Sequence, residues 1–381
     1  MMKRRTVLGL TASALMLGVA FAPAQAADTM KIGMVVELSG GGAPAGTNFR
    51  DGALLAAKEI NASGGVMGQQ LEISEYDTGT DPQTSRALVQ KAIDEGAYNI
   101  WGTVYSSSTI VNMMVAQQAG VPQITGSEAP NITAQGNPYI FRTSYGAQKG
   151  IPALTAYFKD TLGAKKVAVA WVNNEFGKGG HDVFVGEMKK AGIDVVADIP
   201  SEAGAADFAA DVARIKDSGA DAVFVYLHEE ESARFLREAS KQAVQAKLVG
   251  EVTLTGQKVI DLAGDAANGA VAHVGLTADA PLETFKTFKA AFEKEYNRAP
   301  DHNALKGYIG AYITKYGTEK AGAVDQEKFA NTMHGLCLKA AEYPGILMDT
   351  CWDDSGEMSR PSFMIEVKDG KQVVGETVPA N

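Results

Sequence analysis

Short apolar runs alternate with longer runs of helical spacing along most of this chain. Lys31–Leu38 is a near-continuous apolar segment suited to a buried strand, and Phe49–Asn61 repeats its apolar positions as a helix does. Gln70–Tyr76 predicts a second strand. Asp81-Pro82 then opens a helix that runs to about Glu95, because aspartate caps well and proline is tolerated at the first helical position. Ile100–Tyr105 predicts a strand delivered straight into a helix carrying Ile110, Val111, Met113, Met114 and Val115, and Pro122–Ile124 and Tyr139–Thr143 predict two more strands. A second series begins at Lys149. It comprises helix 149–162, strand Val167–Val172, helix Lys178–Ala191, strand Asp194–Ile199, helix Phe208–Asp217 capped by Asp207, strand Ala222–Leu227 and helix Glu230–Ala243. Lys247–Gly250 and Ala270–Gly275 follow, then a mainly helical region over Glu283–Met333, then Ser362–Val367 and Gln372–Val378 as a hairpin turning on Asp369-Gly370. Alternating strands and helices predict an α/β protein with parallel sheets covered on both faces, and two series of similar length predict two similar lobes.

Ser106, Ser107 and Ser108 fall where the strand ending at Tyr105 meets its helix. Backbone N–H groups at a helix start lack partners and the helix dipole is positive there, so the junction suits a carboxylate or phosphate. The plainer alternative is one capping serine followed by loop. The next strand also ends in a small polar turn, Thr125-Gly126-Ser127-Glu128-Ala129-Pro130, at the carboxyl end of the sheet, where open α/β sheets bind ligands.

Composition narrows the function. Lys3-Arg4-Arg5, the apolar run Val7–Ala22 and the Ala24-Gln25-Ala26 pattern predict a signal peptide over residues 1–26, hence an exported protein cleaved after Ala26. The arginine pair is a loose match to a twin-arginine route, and the general secretory route is the expectation. Cleavage would move the formal net charge from −10 to −13. No later apolar run approaches the ~20 residues of a membrane span. An acidic chain without a basic stripe argues against nucleic acid, and the lack of a basic amphipathic helix argues against membrane insertion or surface binding. Cys337 and Cys351 are the only cysteines, and an oxidising compartment predicts one disulfide between them.

Catalytic patterns are missing. No Gly-x-Ser-x-Gly occurs, no serine has lysine three residues on, and His228-Glu229 has no second histidine at metalloprotease spacing. His181, His228, His273, His302 and His334 are scattered and read as surface or structural residues, with His228 best placed for a ligand because it ends a strand. Gly40, Gly42 and Gly46 are spaced too widely for a dinucleotide loop, and Pro44 interrupts their turn. They suit a close backbone approach to a ligand or to the other lobe. An exported two-lobed α/β chain without catalytic residues points to a binding protein that needs no cofactor and no metal.

Several segments then occur in a telling order: Ile60-Asn61-Ala62-Ser63-Gly64-Gly65-Val66-Met67-Gly68, Asp81-Pro82, Ser106-Ser107-Ser108-Thr109, Gly120-Val121-Pro122, Tyr139-Ile140-Phe141-Arg142-Thr143, Phe176-Gly177, Asp207-Phe208 and Gly264-Asp265-Ala266-Ala267-Asn268-Gly269. With them the chain resembles the leucine/isoleucine/valine-binding proteins, the type I periplasmic solute receptors of ABC importers, over essentially the whole mature chain. The resemblance implies two Rossmann-like lobes joined by three crossovers, 28–146 plus 274–360 and 147–273 plus 361–381, closing on a solute by a hinge. It implies a monomeric periplasmic protein that delivers a small carboxylate to an ABC permease in the inner membrane. Ser106, with Ser107 and Tyr105 beside it, and the turn Gly126, Ser127, Glu128 would hold the carboxylate. Phe176 and His228 would close the cleft from the other lobe, and Glu251 would hold an ammonium.

This chain departs from the family at three places. Ala147 stands where the family has an aspartate, with Tyr145 close by, and Phe176 lacks the usual tyrosine hydroxyl. Ser127-Glu128-Ala129 replaces a threonine turn with one residue deleted. Trp101, Tyr105, Tyr145 and Phe176 either line a more aromatic pocket or, for Trp101 and Tyr145, pack the core. Branched-chain or other neutral amino acids are the first expectation and aromatic carboxylates the second. A ligand-sensing receptor for a signalling system would share the fold.

Overall fold

The computed structural model describes residues 29–380, so the expected signal peptide and its cleavage site lie outside the described residues. The first α/β unit comprises β1 (Thr29–Val36), α1 (Ala43–Ala62), β2 (Gln70–Asp77), α2 (Pro82–Asp94), β3 (Asn99–Trp101), α3 (Ser106–Ala119), β4 (Gln123–Thr125), the short α4 (Asn131–Ala134) and β5 (Ile140–Arg142). Its strands form one parallel sheet in the order β2-β1-β3-β4-β5.

The second unit comprises α5 (Ala147–Ala156), β6 (Lys166–Val172), α6 (Glu175–Ala191), β7 (Asp194–Ser201), α7 (Ala209–Asp217), β8 (Ala222–Tyr226), α8 (Glu229–Lys241), β9 (Lys247–Gly250), α9 (Val252–Thr255), α10 (Gln257–Ala263) and β10 (Val271–Val274). The chain then returns to the first unit with α11 (Glu283–Tyr296), α12 (His302–Ala321) and α13 (Gln326–Met333). A small antiparallel sheet of β11 (Cys337–Leu338), β12 (Thr350–Trp352) and β13 (Met358–Ser359) follows. A last crossing brings the hairpin β14 (Ser362–Lys368) and β15 (Lys371–Val378) onto β10, giving the second sheet the order β15-β14-β10-β9-β8-β6-β7. The chain thus passes between the units three times.

Burial follows from the pleat of the strands. On β1, Met30, Ile32, Met34 and Val36 face one way and join Phe49 of α1 with Leu305 and Ile309 of α12, while Val35 faces the other way onto Val89 of α2 and Val115 of α3. Residues Phe285, Phe288 and Phe292 of α11 extend the first core, and a separate core of the second unit is built on Val167, Val169, Phe184 and Phe224. Cys337 and Cys351 stand directly opposite each other between β11 and β12 and are joined as a disulfide.

Several boundaries differ from those the sequence pattern predicts. The strand at Ile100 ends at Trp101 instead of Tyr105. The fully buried Glu37 carboxylate accepts the backbone N–H groups of Val104 and Tyr105, at 3.2 Å each, which takes this segment out of the ladder. Helix α1 starts at Ala43, with Pro44 inside its first turn, where a missing N–H costs nothing. Gly46 lies so close to β1 that a Cβ there would sit 2.0 Å from the Glu37 carbonyl oxygen, so its glycine serves packing within its own unit. Helix α6 starts three residues earlier than Lys178, because Asn174 caps it by accepting from Gly177 N–H. Helices α9 and α10 and the small sheet carry too few residues for a periodicity to show.

Candidate ligand-binding site

The carboxyl ends of β3 and β4 in the first unit face those of β8 and β9 in the second across a shared cleft. A cavity there is lined from the first unit by Tyr105, Ser106, Gly126, Glu128 and the start of α12, and from the second by Phe176, His228, Glu229 and Thr253. A smaller cavity adjoins it, sharing Glu128, His302 and Lys306 and adding Ser144, Tyr145, Glu251 and Arg360. Their volumes are about 30 Å³ and 20 Å³ respectively. That is room for one or two water molecules each.

Six of the residues singled out from sequence, Tyr105, Ser106, Gly126, Glu128, Phe176 and His228, line the first cavity, and Tyr145 and Glu251 line the second. Ser107 and Ser127 line neither. Ser127 is fully buried and donates to the backbone oxygens of Thr103 and Val104, so it shapes the turn from behind. Trp101 is a core residue whose indole N–H donates to Thr314 Oγ1 at 2.8 Å.

Helix α3 begins at Ser106 and has no side-chain cap, which leaves its first backbone N–H groups free to meet a ligand. The Ser106 hydroxyl oxygen accepts from Ala129 N–H at 3.2 Å and stays able to donate its own proton. The turn carrying Glu128 and Ala129 is braced by Arg142, which donates to the carbonyl oxygens of Ser127 and Ala129 and pairs with Glu357 at 2.8 Å, all of it buried.

Aromatic rings cross the cleft. Tyr105 stacks on His228 with centroids 4.4 Å apart, His228 lies over Phe176 at 5.1 Å, and Phe176 stacks on Tyr226 at 4.2 Å. Burial holds the His228 pKa below its ordinary value, so the ring is neutral near pH 7, and Asn174 Nδ2 lies 2.9 Å from its Nε2.

Charged groups are densely placed for so buried a site. Lys306 of α12 pairs with Glu128 at 2.7 Å. Glu229 has its carboxyl pushed up to about 7 by burial. Glu251 pairs with His273 at 3.2 Å, and His273 in turn meets Ser362 at 2.8 Å. Burial raises the Glu251 pKa against the pull of that histidine. No group of three or more histidine, cysteine or acidic side chains suited to a metal occurs among the described residues, and no helix among them is long and apolar enough to cross a membrane.

Lys306, Asn303 and Arg360 are not singled out by the sequence pattern, and His302, which reads there as a surface or structural histidine, lines both cavities. Lys306 had a usable signal: it is a lone cation among Ala304, Leu305, Tyr308 and Ile309 on a helix buried nearly all round. A cation at such a position needs a partner. The partner, Glu128, lies 178 residues away in the chain, beyond the reach of any local pattern.

The chain is similar to known proteins over most of its length. The leucine-, isoleucine-, valine-, threonine-, and alanine-binding protein of Pseudomonas aeruginosa is 29% identical over 341 residues, 89% of this chain and 90% of that one. Among solved structures, a branched-chain amino acid transporter substrate binding protein of Streptococcus pneumoniae, in complex with isoleucine, superposes with a TM-score of 0.83 at 24% identity, covering 92% of this chain and 99% of that one. An ABC transporter solute binding protein of R. palustris in complex with benzoate superposes with a TM-score of 0.85 at 22% identity, covering 93% and 97%. The pattern of the periplasmic binding protein family matches residues 29–372, nearly all of the described chain. The chain belongs to the periplasmic binding protein family, with its type I fold of two α/β units joined by three crossings.

Proposed function

We propose that this protein is the solute-binding component of an ABC importer, exported to the periplasm after cleavage near Ala26, and that it captures a small carboxylate and hands it to an inner-membrane permease. The observation that carries this is the uncapped start of α3 opening into a cavity walled by both units. The lobes are 28–146 plus 274–360 and 147–273 plus 361–381, and the three crossings between them form the hinge. Free backbone N–H groups at α3 and the Ser106 hydroxyl receive the carboxylate, the Gly126–Glu128 turn shapes its surroundings, and Glu251 accepts an ammonium. Solute contacts form on both lobes only when the cleft is closed, so the solute favours the closed state by its differential affinity.

A branched-chain or other neutral amino acid is the first ligand class, in keeping with the amino-acid-binding relative. Aromatic carboxylates are the second, favoured by the stack of Tyr105, His228 and Phe176, against which a flat ring would pack. Native mass spectrometry of freshly purified protein, followed by calorimetry with leucine, isoleucine, benzoate and their carboxamides, tests this. Binding of at least one acid with its amide at least tenfold weaker is expected. Equal binding of acid and amide would refute the carboxylate site, and binding of none would refute these two ligand classes.

A further inference from the structure

Two arginines are fully buried beneath the cleft, and their surroundings differ. Arg142 has a carboxylate, Glu357, at 2.8 Å. Arg360 forms no ion pair with a carboxylate among the described residues. Its Nη2 donates to the Thr143 carbonyl at 3.0 Å, while its Nε and Nη1 have no hydrogen-bond partner. Arg360 lines the smaller cavity, where it shares the space with Tyr145 and Glu251. One oxygen of Glu251, Oε1, is likewise buried without a partner. Burial depresses the Arg360 pKa to about 9, which still leaves it a cation at neutral pH.

A buried cation with two unused donors is costly to the fold unless an anion meets it, and a planar guanidinium matches a carboxylate through two parallel hydrogen bonds. Tyr145 does not fill that role, since its hydroxyl donates to the Arg360 carbonyl oxygen and leaves the guanidinium untouched. Lys306, the other cation of the cleft, already has Glu128. The cavity holding Arg360 and the one at α3 share Glu128, His302 and Lys306 as the wall between them, so a solute that displaces the Lys306–Glu128 pair would reach both.

We propose that Arg360 is a second anion-receiving position of the cleft, so that the solute is a small dicarboxylate, acidic amino acids included, with one carboxylate at the start of α3 and the other on the Arg360 guanidinium. This rests on the small-carboxylate function proposed above and departs from its neutral amino-acid class, which carries a single carboxylate.

Matched acids on solute-free protein test it by calorimetry: glutamate against glutamine, glutarate against pentanoate, and terephthalate against benzoate. In at least one pair the dicarboxylate should bind at least tenfold tighter. Arg360→Gln should remove that preference, and Arg360→Lys should keep part of it. If a monocarboxylate binds as tightly as its dicarboxylate partner in every pair, or if Arg360→Gln keeps the preference, Arg360 is a structural residue and only this proposal falls. If no acid of either kind binds, the carboxylate-receptor function falls with it. The wild-type ligand pairs decide the matter even if Arg360→Gln melts below the assay temperature.

Discussion

Tyr105 and His228 stack face to face, with ring centroids 4.4 Å apart and planes 9° from parallel, although one stands at the N-cap of α3 in the first unit and the other at the N-cap of α8 in the second. The contact joins the two walls of the cleft. It is a bond between lobes that needs no solute, so it sets how far the unliganded protein leans toward closure. A stacked pair contributes about 0.5–1.5 kcal/mol beyond its buried area. His228→Ala should therefore shift the unliganded population toward the open form by about 2- to 12-fold. Small-angle scattering of the solute-free variant should show a larger radius of gyration than wild type, and identical curves would deny the stack that role.

Glu357 holds Arg142 and also accepts from Thr133, Gln148 and Gly146. Removing it strands a buried guanidinium and several donors behind the Ser127–Ala129 turn. Glu357→Ala should lower stability in urea by about 3–5 kcal/mol. Affinity should fall as well, because Arg142 positions the turn that carries Glu128. A variant within 1 kcal/mol of wild type would show that the pair is not needed.

Cys337 and Cys351 close a short loop, with a sequence separation of 14. The chain-entropy estimate for a loop of about this size is about 3 kcal/mol. The double serine variant should be less stable by that order, and native protein denatured without reductant should show no free thiol. Two titratable thiols in protein isolated from the periplasm would contradict the pairing.

Glu37 is fully buried, and burial outweighs its two backbone hydrogen bonds, pushing its carboxyl up to about 7 from an ordinary 4.5. Between those values the folded protein holds a proton that the unfolded chain has released, so stability falls as pH rises through this window. A shift of this size corresponds to a loss on the order of 3 kcal/mol. Glu229, raised to about 7 by the same cause, acts in the same direction. Urea unfolding from pH 4.5 to 7 should show the decline, and Glu37→Gln should make it shallower while lowering stability at the acid end, where the amide cannot accept both N–H groups. An unchanged slope would assign the decline to other groups.

The sequence exposed most of the fold, because buried parallel strands are long apolar runs and their helices have caps such as Asp81 that can be recognised locally. Where a boundary depended on a distant group it was missed: Glu37 ends β3 from 67 residues away. The same division holds for the site. Tyr105, Ser106, Glu128 and Phe176 stand at strand-to-helix junctions, and a junction shows in the residue order. Lys306 and Arg360 enter the cleft from a buried helix and from a chain crossing, and only their partners, or the absence of one, mark them out. The disulfide needed nothing more than a count of two.

Whether the start of α3 receives the solute's carboxylate is tested most directly by binding calorimetry on Ser106→Ala, with a melting curve on the same sample. If the hydroxyl donates to the carboxylate, its loss removes a charge-assisted hydrogen bond of about 1.5–3 kcal/mol. The Kd should then rise about 10- to 100-fold for the acid and hardly at all for its amide. A variant that binds the acid with the wild-type Kd while melting several degrees lower would show that Ser106 only ties α3 to the Glu128–Ala129 turn, and would place the carboxylate elsewhere in the cleft.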